Sequence, residues 1–219
     1  MNSTKENNSI MNTMKDRTLD YYNTHSAVFT EDTVNADMHS NQDVFLRVLE
    51  DTHAGCTKDS LRILDLGCGA GRDLRYFKEC GYIVCGTDGS EEMVRAAAEY
   101  SGVQVDLVLF EDYTGTELYD AVWACASILH MHKEDLPDMF RRIRDSLKEG
   151  GILYSSFKYG TYEGYRNERY YTDLDEERLR AIMADVPGFA LMELWISGDV
   201  RPGRETEKWL NFILQKENV

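Results

Sequence analysis

Two stretches of this chain hold residues whose types and spacing could do chemistry: LRILDLGCGAGRD at residues 61–73 and YIVCGTDGS at 82–90. An apolar strand carrying Asp65 turns through Gly67, Gly69 and Gly71, enters a helix, and is followed by a second apolar strand ending at Asp88. Glycine suits a bend whose backbone must take unusual angles and let a ligand approach without a Cβ in the way. Asp88 arrives where a carboxylate can accept hydrogen bonds from both hydroxyls of a ribose. That order builds a nucleoside pocket. A dinucleotide site uses G-x-G-x-x-G, with a helix N-terminus aimed at pyrophosphate; here the glycines run G-x-G-x-G behind an acid. A ligand without phosphate fits better.

The elements that must position these groups follow from hydrophobic spacing. Short apolar runs between turn signals predict strands at 61–66, 82–87, 103–109, 119–125 and 152–157, each of the kind covered on both faces. Helices separate them. Residues 72–80 stop at Gly81, Ser90 caps a helix that ends at Gly102, and 135–148 places Leu136, Phe140, Ile143 and Leu147 on one face. Two further helices, 16–34 and 38–53, precede the sheet, the first with Leu19, Tyr22 and Val28 at helical spacing. A polar, aromatic segment follows the fifth strand, then a helix at 175–184 and two runs, 189–196 and 209–214, that can pair at the sheet edge. Such alternation gives an α/β, doubly wound, mainly parallel sheet. Residues 1–15 have too few apolar groups to offset the entropy of ordering and read as a flexible tail. Residues 16–219 read as one domain, the size a single core supports.

Composition limits the partners. Lys and Arg number 24 against 39 Asp and Glu, a formal net charge of −15, whereas nucleic-acid affinity comes from basic side chains displacing counterions. No nucleic acid is expected. The five cysteines, Cys56, Cys68, Cys80, Cys85 and Cys125, are odd in number and form no C-x-x-C pair, so they read as buried free thiols in a reducing compartment. No run has the apolar length of a membrane span, and the N-terminus has no h-region. The expected location is the cytoplasm, with no membrane partner. Oligomeric state leaves no mark on the sequence.

From about Asp16 onward the chain resembles the class I S-adenosylmethionine-dependent methyltransferases, in particular small bacterial enzymes of the tellurite-resistance and ubiquinone-biosynthesis-like type. The resemblance rests on motifs in order: the glycine bend, Asp88, the acid-rich tract at 110–112 after the third strand, YDAVWACAS as the fourth, and LKEGG before the fifth. It implies a Rossmann-like fold with an antiparallel edge strand, and S-adenosylmethionine as cofactor with S-adenosylhomocysteine as product. It further implies roles for named residues. Gly67, Cys68 and Gly69 supply the turn for the methionine part. Asp65 either orients that turn or accepts the ammonium group, and Arg72 either meets the methionine carboxylate or forms a surface ion pair. Asp88 holds the ribose, with Gly89 and Ser90 beside it. Met93 packs on the adenine or only within its helix. Phe110 and Glu111 serve the adenine, with Asp112 competing for the second role. Ala124, ahead of Cys125, Ala126 and Ser127, lines the approach to the methyl group or permits close packing.

Methyl transfer from a sulfonium is an in-line displacement that needs few reactive side chains. His130 can act as a general base for a hydroxyl, amine or thiol, its ordinary pKa being near neutrality, or simply end a loop. With His132 and Cys125 it suggests a metal cluster on paper, but no fourth ligand of matching spacing appears, and no metal is expected. Substrate selection falls to Tyr21, Tyr22 and Met38 of the N-terminal helices and to residues 158–174, either a lid or a solvated excursion. Lys158, Arg166, Arg169 and Arg201 either bind an anionic group of a small substrate or offset neighbouring acids. The chain lacks the Asn-Pro-Pro-Tyr-type tetrapeptide of many amino-group DNA and protein methyltransferases and the reactive cysteine pair used for carbon methylation. A small-molecule O, N or S acceptor is the expectation; a nicotinamide-dependent oxidoreductase and a non-catalytic S-adenosylmethionine-binding sensor are the alternatives.

Overall fold

Successive side chains of a strand point to opposite faces of its sheet, and the apolar runs exploit this on both sides. The computed structural model describes residues 17–204 and 206–217; the tail expected at 1–15 lies outside them. Five strands, β1 (Arg62–Leu66), β2 (Ile83–Asp88), β3 (Val105–Leu107), β4 (Tyr119–Ala124) and β5 (Leu147–Lys158), form the parallel part of a seven-stranded sheet. The chain then makes β6 (Glu163–Arg166) and β7 (Arg169–Thr172), a separate hairpin, and returns as β8 (Phe189–Gly198) and β9 (Lys208–Lys216). The sheet order is β3-β2-β1-β4-β5-β9-β8, with β9 antiparallel to both neighbours. The antiparallel strand therefore lies one place inside the edge, which is β8. Winding reverses between β1 and β4, where a crevice opens beyond the strand C-termini.

The helices are α1 (17–24), α2 (Ser26–Thr33), α3 (His39–Thr52), α4 (Arg72–Glu79), α5 (Glu91–Ser101), α6 (Leu136–Ser146) and α7 (Glu176–Asp185). Ile63, Ala121, Trp123, Ile152 and Tyr154 point to one face and pack with Phe45 and Leu49 of α3 and Phe77 of α4. Leu64, Val122, Ala124 and Leu153 alternate with them and meet Phe140 and Ile143 of α6 and Leu179 and Ile182 of α7. Each such side chain fully removed from water contributes about 1.5–3 kcal/mol. The rings of Trp123 and Tyr154 stack across β4 and β5, 3.8 Å between centroids and 12° from parallel.

Several expected elements change in detail. The single helix expected over 16–34 breaks at His25, and Val28 is 60% exposed instead of buried. Strand β5 starts at Leu147, opposite Tyr119, and its register slips before Ile152 meets Ala121. The polar stretch 158–174 contains the β6–β7 hairpin, its two central residues Asn167 and Glu168 at φ 47° and 68°, the signature of a two-residue type I′ turn. The thiols are free, but Cys56 is exposed and the other four are half-buried. Among the described residues no helix is long and apolar enough to cross a membrane.

Candidate active site

Strands β1 and β2 run side by side with Leu66 opposite Thr87, so the turn after β1 meets the end of β2. The amides of Gly67 and Cys68 both donate to the Thr87 carbonyl, at 2.8 and 3.0 Å. The next amide, Gly69 N–H, donates to Asp88 Oδ2 at 2.9 Å, and Ser90 N–H to Oδ1 at 2.9 Å. Two glycines here are sterically required. A Cβ on Gly67, at φ 73°, would stand 2.6 Å from Ser127 Cβ, and one on Gly71, at φ 84°, would stand 2.9 Å from the Ala97 backbone. The bend and α4 can approach their neighbours only without side chains at these points. Asp88 opens solely into the crevice, and burial pushes its carboxyl up to about 6, the amides of Ser90, Gly69 and Gly89 pulling the other way.

Behind the bend, Asp65 is 2% exposed and its Oδ2 has no hydrogen-bond partner among the described residues. Burial and then the neighbouring Asp73 raise its pKa, with Arg72 opposing. A buried carboxylate oxygen left without a donor calls for one from a ligand. Asp73, by contrast, is fully served: Gln42 Nε2 donates at 2.7 Å, Trp123 Nε1 at 2.9 Å, and Arg72 through Nε and Nη2 at 2.9 and 2.7 Å. Against the upward push of burial, Arg72 and these bonds hold Asp73 below the usual carboxylate range. Arg72 thus makes an internal ion pair while its side chain still borders the crevice.

The crevice encloses a cavity of about 230 Å³. Asp65, Gly67, Cys68, Gly69, Arg72, Asp88, Gly89, Phe110, Glu111 and His130 line it, as do Tyr22, Met38, Lys158, Arg169 and Arg201. Several residues singled out in the sequence do not, Met93, Ala124, Ser90 and Tyr21 among them. Met93 and Ala124 are wholly buried, Ala124 because its side chain shares the Val122 side of β4. Ser90 caps α5, its Oγ accepting from Met93 N–H at 3.3 Å and donating to Asn23 at 2.6 Å. Tyr21 stands behind Arg169, 4.5 Å from its guanidinium. Glu111 faces the cavity and Asp112 does not. Residues with no earlier signal complete the wall: Leu19 against Gly89, Phe29 against Gly69, and Tyr171, Asp199 and Trp209 beyond β5.

Past β4 the chain is re-aimed by Ala126, at φ 51°, whose N–H donates to Ser156 Oγ at 2.9 Å. A non-glycine residue held there is strained and persists only where surrounding contacts fix it. The following turn, Ile128–His130, delivers the imidazole. Its Nδ1 is 2.6 Å from the Tyr170 carbonyl and its Nε2 is 2.8 Å from Tyr22 Oη. A carbonyl only accepts, so Nδ1 carries the proton and Nε2 accepts from the phenol. Burial pulls His130 down to about 4, with the Tyr170 bond opposing and Arg169 adding. The ring is neutral at physiological pH.

Two clusters of charge close the far end. Lys158 and Arg201 both bind Asp199, at 3.2 Å for Lys158 and through two bonds of 2.8 and 2.6 Å for Arg201, and Lys158 also pairs with Glu207. Arg169 stands apart, 8% exposed among Tyr21, Tyr22 and Tyr171. The segment 158–174, read as either a lid or a solvated excursion, contains a docked hairpin, with Tyr170 N–H donating to Thr18 Oγ1 at 3.0 Å. Arg166 turns away from the cavity to a bidentate pair with Asp173.

Sheet order, switch-point crevice and glycine bend together define a Rossmann-like domain. The family described as methyltransferase domain matches residues 63–151. Bacillus subtilis YqeM, which bears a methyltransferase name, is 39% identical over 108 residues, 44% of each chain. A Geobacillus protein similarly named is 37% identical over 100 residues, 42% of this chain and 40% of that one. The matched stretch thus spans less than half the length of these curated relatives. Among solved structures, magnesium protoporphyrin IX methyltransferase from Synechocystis, with bound S-adenosylhomocysteine, superposes with a TM-score of 0.67 at 19% identity, over 92% of this chain and 100% of that one. The 1,6-didemethyltoxoflavin N1-methyltransferase of Burkholderia thailandensis gives 0.60 at 20%, over 89% and 90%. Over residues 63–151 the chain carries a methyltransferase domain, and its fold is that of the Rossmann-like S-adenosylmethionine-dependent methyltransferases.

Proposed function

We propose that this protein transfers the methyl group of S-adenosylmethionine to an O, N or S atom of a small molecule, by in-line displacement within one domain. The observation that carries this is the Gly69–Asp88 hydrogen bond, which brings the glycine bend and the ribose-binding acid together, beside an Asp65 oxygen that lacks a donor. The residues present fit the cofactor. Asp88 would hold the ribose hydroxyls, Asp65 the ammonium across the turn at Gly67–Gly69, and Arg72 the methionine carboxylate. Phe110, Glu111 and Gly89 would border the adenine, with Ser90 and Met93 supporting them from behind. When bound, S-adenosylmethionine supplies the electrophilic methyl and its leaving group together.

The chain's own residues then bind, orient and exclude water. Leu19, Phe29 and Met38 cover the cavity from the N-terminal side. An acceptor hydroxyl or amine gives its proton to Tyr22 Oη while Tyr22 passes its own to His130 Nε2; Nδ1–H stays on the Tyr170 carbonyl. His130 is thus a proton acceptor reached through Tyr22, weaker than the near-neutral imidazole expected from sequence because burial lowers its pKa.

A nicotinamide cofactor suits the site less well. The first turn of α4 carries the buried, ionised Asp73, and a pyrophosphate at that helix end would meet a carboxylate. The magnesium protoporphyrin and toxoflavin methyltransferases, enzymes named for small acceptors, and the net charge of −15 favour a small molecule over a nucleic acid. Five unpaired cysteines support a cytoplasmic setting. Calorimetry with S-adenosylhomocysteine and NAD tests the assignment: preferential NAD binding rejects it. Cofactor binding without turnover across a library of small acceptors favours the sensor.

A further inference from the structure

Among the described residues one buried cation at the acceptor end of the cavity has no anion in contact. Arg169, on β7, is 8% exposed and faces the cavity. Among the described residues its side chain makes one hydrogen bond, a long one of 3.4 Å from Nη1 to Tyr22 Oη, and its buried Nε has no partner. A guanidinium has five donors and keeps its charge, and burying such a charge without a counter-ion is costly. The rings of Tyr21, Tyr22 and Tyr171, with the guanidinium carbon 4.5, 5.8 and 5.5 Å from their centres, orient it and soften that cost. They offer no acceptor to the Nε–Nη2 edge.

The neighbouring cations are already neutralised. Lys158 and Arg201 face two carboxylates, Asp199 and Glu207, and Arg72, already paired with Asp73, is assigned above to the cofactor. Among the described residues Arg169 is therefore the cavity-lining cation without a carboxylate partner. Resting on the methyl-transfer reading above, we propose that Arg169 anchors the one carboxylate of the methyl acceptor, so that the substrates are small monocarboxylic acids. The planar side-on edge of the guanidinium matches the two oxygens of a carboxylate. A phosphate would bring a second negative charge close to Asp199, whose cations Lys158 and Arg201 are already paired. The tyrosines give the body of the acid a flat, apolar seat, with Tyr22 Oη shared between anchor and proton relay.

The test uses the full chain and begins with S-adenosylhomocysteine binding to the unaltered protein. Failure at that step rejects the methyl-transfer reading by itself, and the anion site is then read on the protein alone. Benzoate and benzamide, matched in shape but not in charge, are titrated into the cofactor-saturated protein by calorimetry. Benzoate should bind at least about tenfold more tightly than benzamide. Arg169→Met should abolish that preference while leaving S-adenosylhomocysteine affinity within about twofold, and Arg169→Lys should keep part of it. Equal binding of the two probes, no benzoate binding, or full benzoate affinity in Arg169→Met each overturns the proposal. Loss of S-adenosylhomocysteine binding in a folded Arg169→Met overturns it too, since Arg169 would then serve the cofactor. The benzoate-to-benzamide ratio on the unaltered protein needs no variant, so a misfolded substitution leaves the test decisive.

Discussion

Tyr22 Oη and His130 Nε2 lie 2.8 Å apart across 108 positions of sequence. With His130 Nδ1 on the Tyr170 carbonyl, that bond ties together α1, the turn after β4 and the β6–β7 hairpin. It also decides the tautomer, leaving the imidazole free to take a proton only on the side of the phenol. In the proposed reaction the two residues would act as one relay.

Tyr22→Phe should therefore lower kcat by about 10²-fold, the lower end of general-base effects, with cofactor affinity unchanged. His130→Gln should do the same, and the double variant should be no slower than either single one, because groups that act as a unit are not additive. Steady-state rates on a turned-over acceptor check this. Unaltered rates in both single variants would reduce the pair to a structural contact.

Two buried groups give opposite pH dependence of stability. His130 titrates near 4 in the fold instead of near 6.5, so its contribution is present above 6.5 and lost as pH falls towards 4. Asp88 titrates near 6 instead of 3.8, so its contribution is present below 3.8 and lost as pH rises through 6. Each amounts to about 3 kcal/mol at most. Between pH 4 and 6 the two slopes nearly cancel. Asp88→Asn leaves only the His130 slope, and urea melts at pH 4.5, 5.5 and 7 should show the variant losing stability on acidification more steeply than the unaltered protein.

The parts legible in the sequence were those in which local pattern and function coincide. The spacing of Gly67, Gly69 and Gly71 and the arrival of Asp88 after the second apolar run are local, and adjacent parallel strands bring them together. Side-chain direction was harder: Ala124 and Cys125 are neighbours, yet only Cys125 borders the crevice, because strand residues alternate. The β6–β7 hairpin was obscured by polar and aromatic residues on both faces, although Asn167 in a left-handed turn was a usable sign. Four cations looked equivalent in sequence. Asp199 lies 41 positions from Lys158 and only the fold shows that it neutralises Lys158 and Arg201 while Arg169 goes unpaired.

Cofactor affinity should depend on the charge of Asp88. On the proposed assignment Asp88→Ala would remove the acceptor for the ribose hydroxyls; it also leaves the Gly69 and Ser90 amides without their partner, so S-adenosylhomocysteine should bind more weakly by about 1–3 kcal/mol. In the unaltered protein the carboxyl gains its proton below about 6 and then accepts less well. Calorimetry should show affinity falling from pH 7 to pH 5. The same titration on Asp88→Asn should be nearly flat over that range.

The glycine bend itself can be tested without a ligand. A Cβ at Gly67 meets Ser127 Cβ at 2.6 Å, and the residue sits at φ 73°. The left-handed conformation costs alanine about 1–2 kcal/mol, and forcing an extra carbon against a packed neighbour costs about 1–3 kcal/mol. Gly67→Ala should therefore lose about 2–5 kcal/mol in urea unfolding, the sum of the two. Ser127→Gly removes the atom that is struck but not the backbone strain. Added to Gly67→Ala, it should recover about 1–2 kcal/mol relative to additivity, and the remaining deficit measures the conformational part. Additive losses would mean that the bend relaxes away from Ser127, and with it from the position that lets Gly69 reach Asp88.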